Sequence, residues 1–455
     1  MTKIKNVNML EGPLLPAIIR YAIPILLMGL VQKLFGAVDI MVLGWVADTD
    51  AVASVGASNS IIHLLIDSFF GISVGTRVVL ARLIGAGDQK RIKAACATSV
   101  YLSLLIGVLT GILGFIFAPA FLDITKCPTE CYEGALIYMR VYLLASPVIL
   151  LYNFGSAILA VAGDTQRPMY YMLVSGGLNF VLNLALCMVL EQKVAAVAIA
   201  TAVSQLVGAL LVTRQLFRME GPCRLRFSEM RWSFSACRKI LAQGVPVGLA
   251  TALYPLSNLQ IQTQINSFGA ATIAGNTAMA NIESIVATVV ATPMANSITG
   301  FAGQNLGAGK HDRVKKSVAY CISISVALGV CFSVICTVLS RPLISLFVSE
   351  EAAIVAAKTR MRYVLQLYCI SCANTCLSRL LQTFGYSLLS TVNSVFSVLC
   401  FRIFWTELVY PKCPTFEVLC QCFTVSWLLL LLLNVAFTFY IYHFKFKKGE
   451  MKKLK

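Results

Sequence analysis

The strongest constraint on the fold is a series of apolar segments that are each long enough to cross a lipid bilayer. They recur along the whole chain, for example at 14–30, 98–121, 141–162, 194–213, 318–339 and 424–441. A transmembrane helix needs about 20 predominantly apolar residues. The composition agrees, because 58% of the residues are hydrophobic and only 13% are charged. We therefore predict an all-α polytopic membrane protein.

An internal repeat is the second constraint. The sequence LIGAGDQKRIKAA at 83–95 returns as NLGAGKHDRVKKS at 305–317, so that Gly85 and Gly307 lie 222 residues apart. The same offset relates further pairs, which are Pro24 with Pro246, Gly163 with Gly385, and Ser204 with Ser426. One offset that holds across most of the chain indicates two copies of a unit of 222 residues.

Each copy contains six predicted spans. They lie at 14–44, 51–83, 91–119, 130–161, 168–190 and 194–217, then at 236–268, 271–305, 312–345, 351–383, 387–410 and 415–445. The expected domains are a six-helix lobe at 1–217, a basic linker at 218–235, a six-helix lobe at 236–445 and a basic tail at 446–455. Because six is even, the copies should be related by a pseudo-twofold axis along the membrane normal, as in parallel transporter repeats. This arrangement favours a carrier over a channel or an enzyme.

The formal net charge of +17 follows the connections between spans. Basic residues gather near 90–93, 214–239, 310–316 and 445–455, whereas the connections between these groups are acidic or poor in Lys and Arg. Such alternation is the positive-inside pattern, so we expect both termini and the linker in the cytoplasm and the protein in the cell membrane. The basic residues then face the lipid leaflet, and we expect no nucleic-acid partner.

Polar side chains inside the spans are the candidate functional residues. Asp39 lies in FGAVDIMVLG of span 1, and a charge in the membrane is a functional suspect by default. Asn179 and Asn183 are four residues apart in span 5, so they share one helix face, and Thr201 in span 6 adds a hydroxyl. Together these four predict a cation-coupling site. Ordinary hydrogen bonding between helices is the alternative for the two amides.

Other polar residues give a second choice. His63 and Asp67, four residues apart in span 2, form either a proton relay or a structural pair, and Glu283 is a buried acid candidate in span 8. In span 7, NLQIQTQINSFG alternates like a strand, but a lone strand cannot cross lipid with an unpaired backbone. We therefore predict a helix whose polar face lines a substrate cavity or packs between lobes. The predicted cavity residues are Gln32, Asn153, Asn258, Gln262 and Asn266.

Several segments resemble known transporters. QKLFGAVDIMVLG, GISVGTRVVLARLIGAGD, NSFGAATIAGNTAMANIE and FAGQNLGAGKHDRVKKS, with GDTQRP and FRIFW, are similar to multidrug and toxic compound extrusion (MATE) transporters over essentially the whole chain. The resemblance implies twelve helices in two lobes and export of organic cations or other amphiphiles in exchange for Na⁺ or H⁺. It also implies a coupling site in the first lobe, where Asp39, Asn179 and Thr201 match the family.

This sequence departs from the family at Asn183, where a second aspartate is usual. A site with one carboxylate can be neutralised by one proton or by one sodium ion, or its coupling can be weakened. The residues leave these alternatives open.

We expect a secondary active antiporter that exports drug-like, cationic or amphiphilic molecules in exchange for H⁺ or Na⁺. It should act as a monomer without a cofactor or a bound metal. A flippase for lipid-linked saccharides is the alternative, and it would need several cations to hold a pyrophosphate. The spans supply few, namely Lys33, Arg77, Arg379 and Arg402. A membrane-embedded enzyme is disfavoured because His63 and Asp67 have no nucleophile beside them in sequence.

Overall fold

In a computed structural model, the structure describes residues 6–446, and this part of the chain contains helices and no β-strand. The predicted tail at 446–455 therefore lies almost entirely outside the described residues. The helices of the first copy are α1 (Leu14–Val46), α2 (Thr49–Gly85), α3 (Gln89–Ile124), α4 (Thr129–Leu144), α5 (Ser146–Val161), α6 (Gln166–Val189) and α7 (Lys193–Arg218).

The second copy is less regular. Its α-helices are α8 (Phe234–Ile265), α9 (Ala270–Val286), α10 (Thr292–Gly307), α11 (His311–Val338), α12 (Ser340–Ser345), α13 (Glu351–Tyr363), α14 (Tyr368–Thr383), α15 (Ser387–Ser394), α16 (Phe401–Phe404) and α17 (Phe416–Tyr440). Turns of π-helix occupy Ala287–Ala291, Val395–Cys400, Trp405–Val409 and Ile441–Phe446. Short 3₁₀ turns occupy Phe227–Glu229, Asn266–Phe268, Leu365–Leu367 and Tyr410–Lys412.

The predicted fold is confirmed. Among the described residues, eleven helical segments are long and apolar enough to cross a membrane, and α4 with α5 forms a twelfth span that is bent by 46°. The sequence prediction of one straight helix at 130–161 is wrong at this bend. Pro147 lacks an N–H and its ring conflicts with the carbonyl four residues earlier. The Ser146 hydroxyl instead donates to the carbonyls of Leu143 (2.6 Å) and Gly107 (2.8 Å).

The internal repeat is visible in the backbone. Gly87 and Gly309, which are 222 residues apart, have φ values of 70° and 71°. Gly163 and Gly385, at the same offset, have φ values of 91° and 79°. Only glycine adopts these left-handed conformations without strain. The two sequence copies are therefore built around equivalent turns.

The chain divides into two compact units. The unit that we name the first lobe contains the residues up to Met9 and Ile23–Gly248, and the second lobe contains Leu10–Ala22 and the residues from Leu249 onward. Each lobe thus includes the beginning of a helix whose remainder belongs to the other.

Within the first lobe, α2 and the beginning of α8 approach too closely for side chains. A Cβ atom added to Gly71 would lie 2.5 Å from the Gly248 Cα atom, and one added to Gly75 would lie 2.2 Å from the Ile240 carbonyl oxygen. Glycines at these positions therefore permit direct contact between the two helix backbones.

Candidate functional site

Asp39 lies on α1 in the first lobe and is only 1% exposed. Its surroundings are apolar, because Val42, Leu43, Val197 and Ala198 are buried in one hydrophobic cluster beside it in the chain and on α7. Burial of an isolated carboxylate in such an environment is costly unless hydrogen bonds or a counter-charge compensate it.

Neutral side chains from three other helices surround the Asp39 carboxylate. Asn183 Nδ2 on α6 donates to Oδ1 at 2.8 Å, and the Thr201 hydroxyl on α7 lies 3.0 Å from Oδ2 and 3.3 Å from Oδ1. The Tyr138 hydroxyl on α4 donates to Oδ2 at 3.1 Å. Asn179 Nδ2 is 3.5 Å from Oδ1 and 2.9 Å from the Thr201 hydroxyl. The structure thus brings together all four residues of the candidate coupling site.

Local packing explains why these residues meet. Asn179 and Asn183 share one face of α6 because they are one helical turn apart. The connection to α7 is short, so the two helices are antiparallel neighbours, and Lys193 Nζ donates to the carbonyls of Cys187 (2.7 Å) and Leu190 (3.0 Å) at the end of α6. A cation at a helix C-terminus satisfies carbonyls that have no partner within the helix.

The cluster has two electrostatic features. Within the described part of the chain, no Lys or Arg forms a salt bridge with Asp39. The Asn183 Oδ1 atom is buried and has no hydrogen-bond partner. Carboxylate, amide and hydroxyl oxygens are therefore gathered around one uncompensated negative charge.

Tyr138 is a site residue that sequence reasoning missed. It is 1% exposed, and its hydroxyl is one of the donors to Asp39. Tyrosines are common in membrane helices, so the residue type alone carries no signal. The position of Tyr138 on α4 is set by packing and not by spacing along the chain.

His63 and Asp67 lie at the surface of α2. Their Nδ1 and Oδ2 atoms are 3.7 Å apart, and their side chains are 64% and 53% exposed. This is a long, solvent-accessible pair, and such pairs contribute little to stability.

Glu283 lies on α9 in the second lobe and is held by Arg360 on α13. Arg360 Nε donates to Oε1 at 2.8 Å and Nη2 donates to Oε2 at 2.7 Å, and both side chains are buried. Arg360 Nη1 also donates to Asn276 Oδ1 at 2.6 Å. The sequence prediction misses Arg360 among the cations of the spans, although it lies within the predicted span at 351–383.

The predicted cavity residues have varied environments. In the first lobe, Gln32 is exposed on α1, and Asn153 is buried and donates to the Ile149 carbonyl of its own helix at 3.0 Å. In the second lobe, Asn258 accepts from Arg402 Nη1 at 2.9 Å. Gln262 Nε2 donates to Asn266 Oδ1 at 2.9 Å, and its Oε1 accepts from Asn276 at 3.2 Å. The polar segment of span 7 is helical, as predicted, through Ile265.

The comparisons with known proteins agree with this architecture. A profile of the MatE family matches residues 24–185 and 246–406, two segments whose first residues are 222 apart. The probable multidrug resistance protein YoeA of Bacillus subtilis (strain 168) is 26% identical over 394 residues, which cover 83% of each chain.

Two further relatives extend the comparison. The probable multidrug resistance protein NorM of Thermotoga maritima is 26% identical over 351 residues, or 76% of this chain and 75% of the relative. A MOP superfamily transporter from Pyrococcus furiosus Vc1 has the same fold, with a TM-score of 0.87 at 22% identity over the whole of both chains. The family profile covers well over half of this chain, so it belongs to the MatE family of multidrug efflux transporters and is a multi-pass membrane transporter, not an enzyme.

Proposed function

We propose that this protein exports amphiphilic, positively charged small molecules and that the inward movement of H⁺ or Na⁺ at Asp39 drives the export. The observation that carries this proposal is a buried carboxylate that has four neutral neighbours and no salt bridge in the described structure. An acid in this position can alternate between a charged state and a state that a cation neutralises.

The neighbours of Asp39 suit either cation. A proton binds to the carboxylate itself, and the hydroxyls of Thr201 and Tyr138 can accept or donate, so the hydrogen bonds can rearrange. A sodium ion would need oxygen ligands. Thr201 supplies a hydroxyl oxygen, and Asn183 supplies an amide oxygen that has no partner in the structure. Rotation of that amide would turn its oxygen towards the carboxylate.

Cation binding at Asp39 gives a means of moving α1. The carboxylate links α1 to α4, α6 and α7 through hydrogen bonds that depend on its negative charge, since charge-assisted hydrogen bonds are about twice as strong as neutral ones. Neutralisation weakens these links and favours a second position of α1 that expels the substrate from the first lobe. Pro24 lies inside α1 and leaves one backbone carbonyl without its helical partner, which makes bending easier.

The same proposal includes the orientation and the assembly. The alternation of basic and acidic connections places both termini and the linker at 218–235 in the cytoplasm. The protein acts as a monomer in the cell membrane and needs no cofactor besides the coupling ion.

Transport by purified protein in proteoliposomes tests the coupling. A fluorescent cationic amphiphile, tetramethylrhodamine methyl ester, is loaded, and a Na⁺ gradient and a H⁺ gradient are imposed in separate experiments. We expect one gradient to drive export against the substrate gradient, and Asp39→Asn to abolish this export while the protein remains inserted. Glu133→Gln, which removes an exposed acid from α4, is the matched control and should keep full export. Undiminished gradient-driven export by Asp39→Asn would refute the assignment.

A further inference from the structure

Arg402 on α16 is a buried cation without an acidic partner. Its side chain is 1% exposed, and its hydrogen bonds go to two neutral groups, the Ser426 hydroxyl (3.1 Å from Nε) and Asn258 Oδ1 (2.9 Å from Nη1). The remaining nitrogen, Nη2, is buried and has no hydrogen-bond partner. A guanidinium does not lose its proton in proteins, so the positive charge persists.

The acid in this region is already used. Glu283 receives two parallel hydrogen bonds from Arg360, which is the bidentate geometry of a complete arginine–carboxylate pair. The two arginines and one glutamate therefore leave one net positive charge inside the second lobe. Charged residues inside membrane proteins are rare and mark sites of function.

Aromatic rings complete the surroundings of Arg402. The Phe423 ring lies 4.4 Å from the Arg402 guanidinium carbon and 4.6 Å from that of Arg360, and the Tyr254 ring lies 5.8 Å from Arg402. Tyr254 is 40% exposed and Asn258 is also exposed, so this edge of the guanidinium is the route by which a ligand can approach. Aromatic faces beside a cation suit an amphiphile that carries an anionic group and a flat apolar body.

The backbone around Arg402 is also irregular. The four α-helical residues at Phe401–Phe404 lie between the π-helical turns Val395–Cys400 and Trp405–Val409. Turns of π-helix inside α-helices occur often at functional sites, because they displace one residue from the regular helical register.

We infer that the second lobe binds a carboxylate of the transported molecule at Arg402 Nη2, so that the preferred substrates are zwitterions that carry a carboxylate as well as a positive charge. Arginine is suited to this ligand because its planar fork matches the two oxygens of a carboxylate. This inference rests on the proposed export function, since it names the class of molecule that is exported.

A matched pair of probes tests this site. Tetramethylrhodamine and its methyl ester have the same fluorophore and differ in one carboxylate, and their binding to the purified full-length protein is measured by fluorescence polarisation. We expect the native protein to bind the acid about tenfold more tightly than the ester or better, which is the value of a hydrogen bond to a charged group. Arg402→Gln should remove this preference, whereas Arg362→Gln, which removes an exposed arginine from the same lobe, should keep it.

A second variant protects the test against misfolding of Arg402→Gln. Asn258→Asp places a carboxylate beside Nη1 and compensates the buried charge from within the protein, so the preference for the acid should be lost while the ester still binds. Equal affinity of the native protein for the two probes would overturn the inference. So would an acid preference that survives in both Arg402→Gln and Asn258→Asp.

The same assay separates this inference from the coupling proposal. Asp39→Asn should keep the preference for the acid, because Asp39 belongs to the first lobe, although ion-driven export is lost. If Asp39→Asn exports normally and Arg402→Gln still loses the preference, the coupling proposal is refuted and the carboxylate site is supported.

Discussion

The two lobes place opposite charges at corresponding positions of one repeated fold. The first lobe buries Asp39 among neutral donors, and the second lobe buries two arginines against a single glutamate. The offset of 222 relates Asp39 to Ile261, Tyr138 to Arg360, and Thr201 to Phe423. The repeat therefore conserves turns and helix positions, but not the chemistry that the helices carry, as expected when function is placed on a shared scaffold.

The helices that carry these groups also differ. α6 is a continuous α-helix at Gln166–Val189, whereas its counterpart around Arg402 is interrupted by two π-helical turns. In the first lobe, one regular helix face presents Asn179 and Asn183 to the acid. In the second lobe, altered register brings one arginine to a position where it contacts Ser426 and Asn258. Opposite charges in the two lobes are what a carrier of zwitterions with cation coupling would need.

The largest expected effect comes from removal of the single acid of the second lobe. Glu283→Gln leaves Arg360 and Arg402 both uncompensated, and we expect a loss of about 3–5 kcal/mol of stability, since a broken buried pair leaves an isolated charge. Thermal unfolding in detergent measures this effect. Glu417→Gln, an exposed position on α17, is the control, and the double variant Glu283→Met, Arg360→Met should recover much of the loss. A double variant as unstable as the single one would contradict the charge argument.

A second acid in the first lobe should change the coupling ratio. Asn183→Asp adds a carboxylate at the atom that now lies 2.8 Å from Asp39, so two negative charges would need compensation. We expect the number of cations exchanged per substrate to rise from one to as many as two, as measured from the reversal potential in proteoliposomes. Asn281→Asp, an exposed position on α9 in the second lobe, should leave the ratio at one. An unchanged ratio in Asn183→Asp would show that the first lobe does not set the stoichiometry.

Removal of one donor to Asp39 should have a smaller effect. Tyr138→Phe deletes the hydroxyl at 3.1 Å, and a hydrogen bond to a charged group contributes about 1.5–3 kcal/mol. The ionised carboxylate is then less stable, so the affinity for the coupling cation should rise about tenfold or more. Half-saturation of transport by the cation measures this change. Tyr142→Phe, on the same helix, should leave the affinity unaltered, and a weaker affinity in Tyr138→Phe would contradict the assigned role.

The smallest effect concerns an ion pair of the first lobe outside the spans. Lys93 Nζ donates to Glu229 Oε1 at 3.0 Å, and this hydrogen bond holds the pKa of Glu229 below its ordinary value. Because the pKa is lowered by folding, the pair stabilises the protein above the pH at which an unfolded glutamate ionises, about 4.3. The contribution is lost as the pH falls through the lowered pKa.

Thermal unfolding as a function of pH measures this ion pair. Glu229→Gln should lower the Tm slightly at pH 7 and match the native protein at acid pH, whereas Glu220→Gln should match it throughout. A difference between Glu229→Gln and the native protein that grows on acidification would contradict the sign of the pKa shift.

Much of the fold follows from the sequence, for physical reasons. Lipid requires every backbone group to be paired within its own segment, so the length of an apolar segment nearly determines a helix. The repeat offset then supports the boundaries of the segments independently. The bend between α4 and α5 escapes this reasoning, since apolarity does not report on direction, although Pro147 in mid-span is the signal that was available.

Part of the candidate site also follows from the sequence. Asp39, Asn179, Asn183 and Thr201 are conspicuous because polar side chains in lipid need partners, and the structure brings them together. Tyr138 and Arg360 could not be assigned in the same way, because the partner of each lies on another helix and sequence spacing does not specify packing between helices. The repeat offset pairs these two residues with each other, and this is the one sequence signal that connects them.

Direct measurement of cation binding tests the central claim, which is that Asp39 is the coupling acid. Purified protein is titrated with ²²Na⁺ at fixed pH, and protons taken up on acidification are counted in parallel, for the native chain and for Asp39→Asn. We predict one saturable cation per chain, sodium or proton, in the native protein and none in the variant. A variant that binds the same cation with the same stoichiometry as the native protein would contradict the account.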